Sequence, residues 1–152
     1  MDVDGVLTDG RIVLDARGNE LKFFDAHDGY GIVRAQQEGI RCAIISGRSS
    51  PVVRKRAAEL GIRDLFLGVR DKERALRTLF AKYSFSTEEV CCIGDDEPDL
   101  PMLAAAGLSA APSSAVVSVR LCVDYVTRAG GGRGAVRELL DLIHAARIRP
   151  LR

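Results

Sequence analysis

Short apolar runs of strand length alternate with amphipathic stretches of helix length along almost the whole chain, and this alternation restricts the architecture more than any other feature. Residues 2–4 read as the end of a first strand, and Arg41–Ile45, Leu65–Leu67, Val90–Ile93, Gly107–Ala110 and Cys122–Val126 read as later ones. Between them, the spacing predicts helices over Gly31–Glu38, Pro51–Leu60, Asp71–Lys82, Asp99–Ala105 and Ala135–Arg147. Ala75, Leu76, Leu79 and Phe80 share one face of the third of these, while Pro51 opens the second and Gly61 follows its end. Asp28 is expected to cap a helix starting near Gly29. Ile12–Leu14 and Leu21–Phe24 flank the turn composition Ala16-Arg17-Gly18-Asn19 and read as a hairpin. Strand and helix in alternation with short links mean an α/β fold, a doubly wound, Rossmann-like and mainly parallel sheet with helices on both faces. The 152 residues read as one domain, 1–152, with a flap hairpin over about 10–26 and a C-terminal tail over about 129–152.

In open parallel sheets ligands bind beyond the carboxyl ends of the strands, and there the polar residues gather. The strand ends carry Asp2-Val3-Asp4, then Ser46-Gly47-Arg48, then Asp71-Lys72, then Gly94-Asp95-Asp96-Glu97-Pro98-Asp99. Far apart in sequence, the four clusters meet at one rim in such a fold. Asp2, Asp4, Asp95, Asp96 and Asp99 would crowd a small volume, so protonation or a cation must neutralise them. A hard divalent ion, Mg²⁺ above all, is the simplest answer. Lys72 and the backbone N–H groups around Ser46 and Gly47 complete a site suited to phosphate. The remaining aspartates can supply a nucleophile and a proton-transfer group. Each cluster alone has a plainer reading: DxD as a turn or cap, SGR as a helix cap, Lys72 as a solvated lysine, GDDxxD as a calcium-type or capping loop. Their conjunction, each after a strand, is far more specific. Arg48 leaves a strand end at the rim, where its fork suits a carboxylate or phosphate; the alternative is a structural salt bridge. His27 reads as structural, and His144 is assigned nothing.

Composition narrows the function classes. A formal net charge of +1 and a pI near 7.7 leave no electrostatic footprint for nucleic acid. No apolar run reaches the roughly 18 residues of a membrane span, and Asp2, Asp4 and Asp9 are foreign to a signal peptide. A cytoplasmic protein without nucleic-acid or membrane partners is expected. Cys42, Cys91 and Cys92 lie in apolar runs, Cys122 begins another, and no CxxC spacing occurs. All four are expected to be buried, reduced and inert.

DVDGVLTD over residues 2–9, Ser46-Gly47-Arg48, Lys72 and GDDEPD over 94–99 resemble the four motifs of the haloacid dehalogenase superfamily of phosphatases. With Asp28-Gly29-Tyr30-Gly31, GDDEPDLPML and GGRGAVRE over 131–138, nearly the whole chain looks like the branch that hydrolyses 3-deoxy-D-manno-octulosonate 8-phosphate, a sugar-acid phosphate. The resemblance implies that Asp2 attacks phosphorus to form an aspartyl-phosphate, and that Asp4 protonates the leaving alkoxide and then activates water. It implies that Ser46, Gly47 and Lys72 hold the phosphoryl oxygens and that Arg48 and Arg133 contact the substrate. Mg²⁺ would bind the Asp2 carboxylate, the Asp4 carbonyl and Asp95, with Asp96 and Asp99 supporting from outside. A nine-carbon branch, acting on 2-keto-3-deoxynononate 9-phosphate, typically carries Glu at the positions of Arg48 and Arg133. That branch is one alternative, and a non-catalytic assembly domain of sugar-acid cytidylyltransferase systems is another. The resemblance also implies a homotetramer in which the hairpins pack centrally and neighbours complete each site, and Gly130–Gly134 with Arg133 is expected to lie across a neighbouring rim. Members normally carry an apolar strand before the first aspartate; here Met1 alone precedes Asp2, which is expected to leave neighbouring strands unpaired.

Overall fold

The computed structural model describes residues 1–148; residues 149–152 of the expected tail lie outside the described residues. In chain order the elements are β1 (Val13–Leu14), β2 (Glu20–Leu21), α1 (Ala26–Gln37), β3 (Ala43–Ser46), α2 (Pro51–Glu59), β4 (Asp64–Leu67), α3 (Lys72–Tyr83), β5 (Cys91–Ile93), α4 (Leu100–Ala104), β6 (Leu108–Ala111), α5 (Val117–Arg120), β7 (Tyr125–Val126) and α6 (Ala135–Ile148). Single 3-10 turns precede β5 and α4.

β3 pairs in parallel with β4, Ala43 opposite Asp64, and β5, β6 and β7 form a second parallel set. The first two residues bridge them. The Met1 amino group donates to the Ala43 carbonyl at 3.0 Å, Ile45 N–H to the Met1 carbonyl at 2.9 Å, and Asp2 N–H to the Ile93 carbonyl at 3.1 Å. Asp2 thus stands in the middle of the sheet at its carboxyl edge. Below this bridge an apolar cavity of about 440 Å³ runs between β3 and β5, lined among others by Met1, Ala43, Ile45, Cys91 and Ile93.

Successive strand residues point to opposite faces, and both faces are covered. Ile44 packs with Val3, Val6, Ile32, Val136 and Leu139 in one core, and its neighbour Ile45 with Leu76, Leu79, Cys92, Met102 and Val119 in the other. Each such side chain contributes about 1.5–3 kcal/mol when fully buried. The β1–β2 hairpin is antiparallel and stands apart from this sheet.

Three local expectations change. Helix α1 begins at Ala26, capped by Asp25, whose Oδ1 accepts from His27 N–H at 2.6 Å. Asp28 lies inside α1 and caps a different helix: its carboxylate accepts from Gly134 N–H at 3.2 Å and Arg137 N–H at 2.8 Å, at the start of α6. The last strand shrinks to Tyr125–Val126 because Leu121–Asp124 form the turn that leaves α5. Cys122 is therefore exposed, whereas Cys42 and Cys92 are buried and Cys91 is partly so. Burial pushes the thiols of Cys42 and Cys91 up to about 11 and about 12, and all four cysteines are free. His144 joins α6 to α1, its Nδ1 2.7 Å from Glu38. No helix of the described residues is long and apolar enough to cross a membrane.

Candidate active site

The chain leaves the sheet at Asp2 and turns at once, with the N–H groups of Val6, Leu7 and Thr8 all converging on the Val3 carbonyl. Gly5 makes this turn possible. Its φ is +87°, and a Cβ there would lie 1.9 Å from Asp95 Oδ2. The Asp95 side chain, at the end of β5, can therefore lie directly over the turn. Asp2, Asp95 and Asp99 each place a carboxylate oxygen within 4.8 Å of the other two. Lys72, the first residue of α3, is buried among them, its Nζ 2.5 Å from Asp99 Oδ1 and 3.0 Å from Asp2 Oδ1. The other Asp99 oxygen accepts from the N–H groups of Asp95 and Asp96 at 2.9 and 3.3 Å, so Asp99 fixes both the loop and the lysine.

Three carboxylates thus face one ammonium. Burial, reinforced by Asp99, raises the pKa of Asp2 against the pull of Lys72. Burial and then the charges of Asp2, Asp99 and Asp96 push Asp95 up to about 7. Burial also works against the charge of Lys72, but Asp2 and Asp99 outweigh it and hold its pKa above the ordinary value. Asp2 Oδ1 is buried, and Lys72 Nζ lies 3.0 Å from it but outside hydrogen-bond angles, which leaves this oxygen without a well-formed hydrogen bond. Excess negative charge, oxygen donors and an orphaned carboxylate oxygen fit a hard divalent cation.

Asp4 faces a second network that the sequence reading missed. Glu20 and Lys22 lie two residues apart on the β2 arm of the hairpin and so point to one face. The Lys22 side chain is only 2% exposed; its Nζ bonds Asp4 Oδ1 and lies 3.2 Å from Glu20 Oε1. Arg48 reaches Glu20 Oε1 at 3.1 Å and lies 3.5 Å from Asp4 Oδ2, and the Ser50 hydroxyl donates to Glu20 Oε2. That hydroxyl, with Lys22 and Arg48, holds the Glu20 carboxyl below its ordinary value. The available signal was two charged residues at strand spacing, Lys22 inside an apolar run and Glu20 just before it.

Of the other expected residues, Ser46 is buried at the end of β3, its Oγ accepting from Arg48 N–H at 3.3 Å, and Gly47 follows it, exposed. Asp96 turns to solvent and accepts from Glu97 N–H at 2.8 Å. Arg133 lines a cavity of about 410 Å³ with Asp9, Arg11, Phe23, Asp25 and Gly132, apart from the aspartate cluster. Its glycine-rich loop packs on the first turn of its own chain: Gly132 N–H donates to the Val6 carbonyl at 2.9 Å, and a Cβ on Gly131 would lie 1.8 Å from the Gly5 carbonyl oxygen.

Carboxylates and a buried lysine at the carboxyl edge of a doubly wound sheet fit a hydrolytic phosphoryl-transfer centre. The model of the haloacid dehalogenase-like hydrolases matches residues 28–107, and the chain belongs to that family. It is 45% identical over 142 residues to the 3-deoxy-D-manno-octulosonate 8-phosphate phosphatase of Haemophilus influenzae, which covers 93% of this chain and 79% of the relative. The phosphatase of the same name from Escherichia coli is 46% identical over 94% of this chain and 76% of its own. Among solved structures, the phosphatase of that name from Moraxella catarrhalis, in complex with magnesium, phosphate and KDO, superposes with a TM-score of 0.93 at 43% identity, covering 96% of this chain and 84% of the other.

Proposed function

We propose that the chain hydrolyses 3-deoxy-D-manno-octulosonate 8-phosphate to the free sugar acid and phosphate. The observation that carries this reading is the split environment of the two aspartates of DxD. Asp2 is buried against Lys72 and the aspartate cluster, while Asp4, two residues on, faces the hairpin and the open rim. One carboxylate is placed to meet phosphorus and the other to meet the leaving group. In this reading Asp2 attacks phosphorus. Asp4 gives its proton to the leaving oxygen and later takes one from the water that cleaves the aspartyl-phosphate. Ser46, the Gly47 backbone and Lys72 hold the phosphoryl oxygens, and positioning and charge neutralisation supply most of the acceleration. Arg48 and Arg133 contact the sugar acid.

Mg²⁺ is the cofactor. The Asp2 and Asp95 carboxylates and the Asp4 carbonyl would hold it, Asp99 would orient Lys72, and Asp96 would shape the loop. When bound, the ion neutralises charge on the phosphoryl oxygens and favours ionised Asp2.

We also read the chain as one domain with a hairpin flap, assembled as a homotetramer with sites shared between subunits. Ile12, Leu14, Leu21 and Phe23 on the hairpin are at least half exposed, and a two-stranded ribbon alone is marginal in water. Four free thiols support a reducing compartment, the cytoplasm. Phosphate release from a panel of sugar phosphates, with Mg²⁺ or with EDTA, tests the activity. The octulosonate 8-phosphate should be the best substrate and EDTA should abolish turnover; a better nine-carbon substrate, or full activity in EDTA, would overturn the reading. Light scattering should give about four times the 16.4 kDa chain mass.

A further inference from the structure

We propose that Lys22, carried by the flap, is a positioning residue that fixes the Asp4 carboxylate for proton transfer to the leaving oxygen. The proposal rests on the reading of Asp4 as the acid of the reaction. A lysine whose side chain is 2% exposed is costly to retain unless its charge is paired. Here Asp4 Oδ1 and Glu20 Oε1 pair it. Glu20 is itself tied to the Ser50 hydroxyl, at the cap of α2, and to the Arg48 guanidinium. The flap is therefore latched to the rim by a polar relay running from the start of α2 through Glu20 and Lys22 to Asp4.

The two Asp4 oxygens are not equivalent in this relay. Oδ1 is bonded by Lys22, which sets the rotation of the carboxyl group. Oδ2 has Arg48 Nε 3.5 Å away, at ion-pair and not hydrogen-bond distance. It is the oxygen without a hydrogen bond from the protein, and in this proposal it carries the transferred proton. In the first step a bond forms between Asp2 and phosphorus, the ester P–O bond breaks with its electron pair leaving on oxygen, and the Oδ2 proton moves to that oxygen. Lys22 exchanges no proton; it holds the donor in line, and small errors in such alignment are costly in rate.

Leaving groups discriminate positioning of the acid from general support of the fold. A sugar phosphate expels an alkoxide and needs the proton; p-nitrophenyl phosphate expels a stable phenolate and does not. The experiment measures release of the leaving group in a single turnover, enzyme in excess, with Mg²⁺ present, on both esters. For Lys22→Met the ratio of alkyl to aryl rate should fall about 100-fold, in the range of a lost general acid, and Lys22→Arg should recover part of it. Asp4→Asn should show the same split. An unchanged ratio in Lys22→Met, whether both rates fall together or neither falls, would overturn the proposal. If Lys22→Met fails to fold by circular dichroism, Lys22→Gln decides by the same ratio. An unchanged ratio in Asp4→Asn would instead overturn the reading of Asp4.

Discussion

Lys72 stands between two buried carboxylates, 2.5 Å from Asp99 and 3.0 Å from Asp2. Removing a partner from a buried ion cluster leaves charge uncompensated, at a cost of about 3–5 kcal/mol. Lys72→Ala should therefore lower the unfolding free energy of the metal-free protein by roughly that much at neutral pH. Urea denaturation checks this, and a loss near zero would place the cluster's charge balance elsewhere. The residues of this cluster were legible in the sequence because each belongs to a short polar cluster placed at or soon after the end of an expected strand. Glu20 and Lys22 were not, because the hairpin reads as an apolar pair of strands, and only the course of β2 past the rim brings its polar face to Asp4. Arg48 was legible as a rim residue; the structure gives it two carboxylate neighbours, Glu20 and Asp4, while leaving its side chain half exposed.

Helix boundaries were legible where caps are local and misplaced where tertiary contact decides. Ser50 with Pro51 and Asp71 mark the starts of α2 and α3 as their residue types predict. The start of α1 was placed too late because Gly29 and Gly31 are poor helix formers. Both serve close packing instead: a Cβ at Gly29 would lie 2.4 Å from the Arg56 guanidinium, and one at Gly31 would lie 2.9 Å from the Arg137 side chain. Asp28, freed from capping its own helix, caps α6 across a separation of more than a hundred residues. Asp28→Ala should cost about 1–2 kcal/mol, as loss of a cap does, and should speed amide exchange at Gly134 and Arg137. Asp25→Ala should cost about as much but speed exchange at His27 alone. Equal exchange changes at both helix starts in both variants would contradict the division of labour.

Over the whole molecule, the strand–helix alternation predicted the doubly wound sheet and its two covered faces, because periodicity is a property of every element at once. The size of the strands was less legible: β5 and β7 have three and two residues, and neighbouring turns absorb the rest of each apolar run. The aspartate cluster makes stability depend on pH. Asp95 titrates near 7 in the fold against an ordinary 3.8, and Asp2 is raised as well. The native state thus binds more protons than the unfolded chain between these values. The metal-free protein should lose stability as pH rises through that window. Lowered carboxylates such as Asp64 and Glu138 work in the opposite sense, below their ordinary values. A divalent ion binds the ionised cluster, so the gain in Tm on adding Mg²⁺ should be larger at pH 8 than at pH 5. Thermal melts with and without Mg²⁺ check this, and an equal gain at both would contradict it.

The central claim is that Asp2 carries the phosphoryl group in a Mg²⁺-assisted transfer. Its most direct test is to mix enzyme with the octulosonate 8-phosphate and Mg²⁺, quench in acid during turnover, and map the phosphorylated peptide by mass spectrometry. The expected result is one phosphoryl group on Asp2, absent from Asp2→Asn and absent when EDTA replaces Mg²⁺. Rapid release of phosphate with the phosphoryl group found on another residue, or undiminished turnover by Asp2→Asn, would contradict the account.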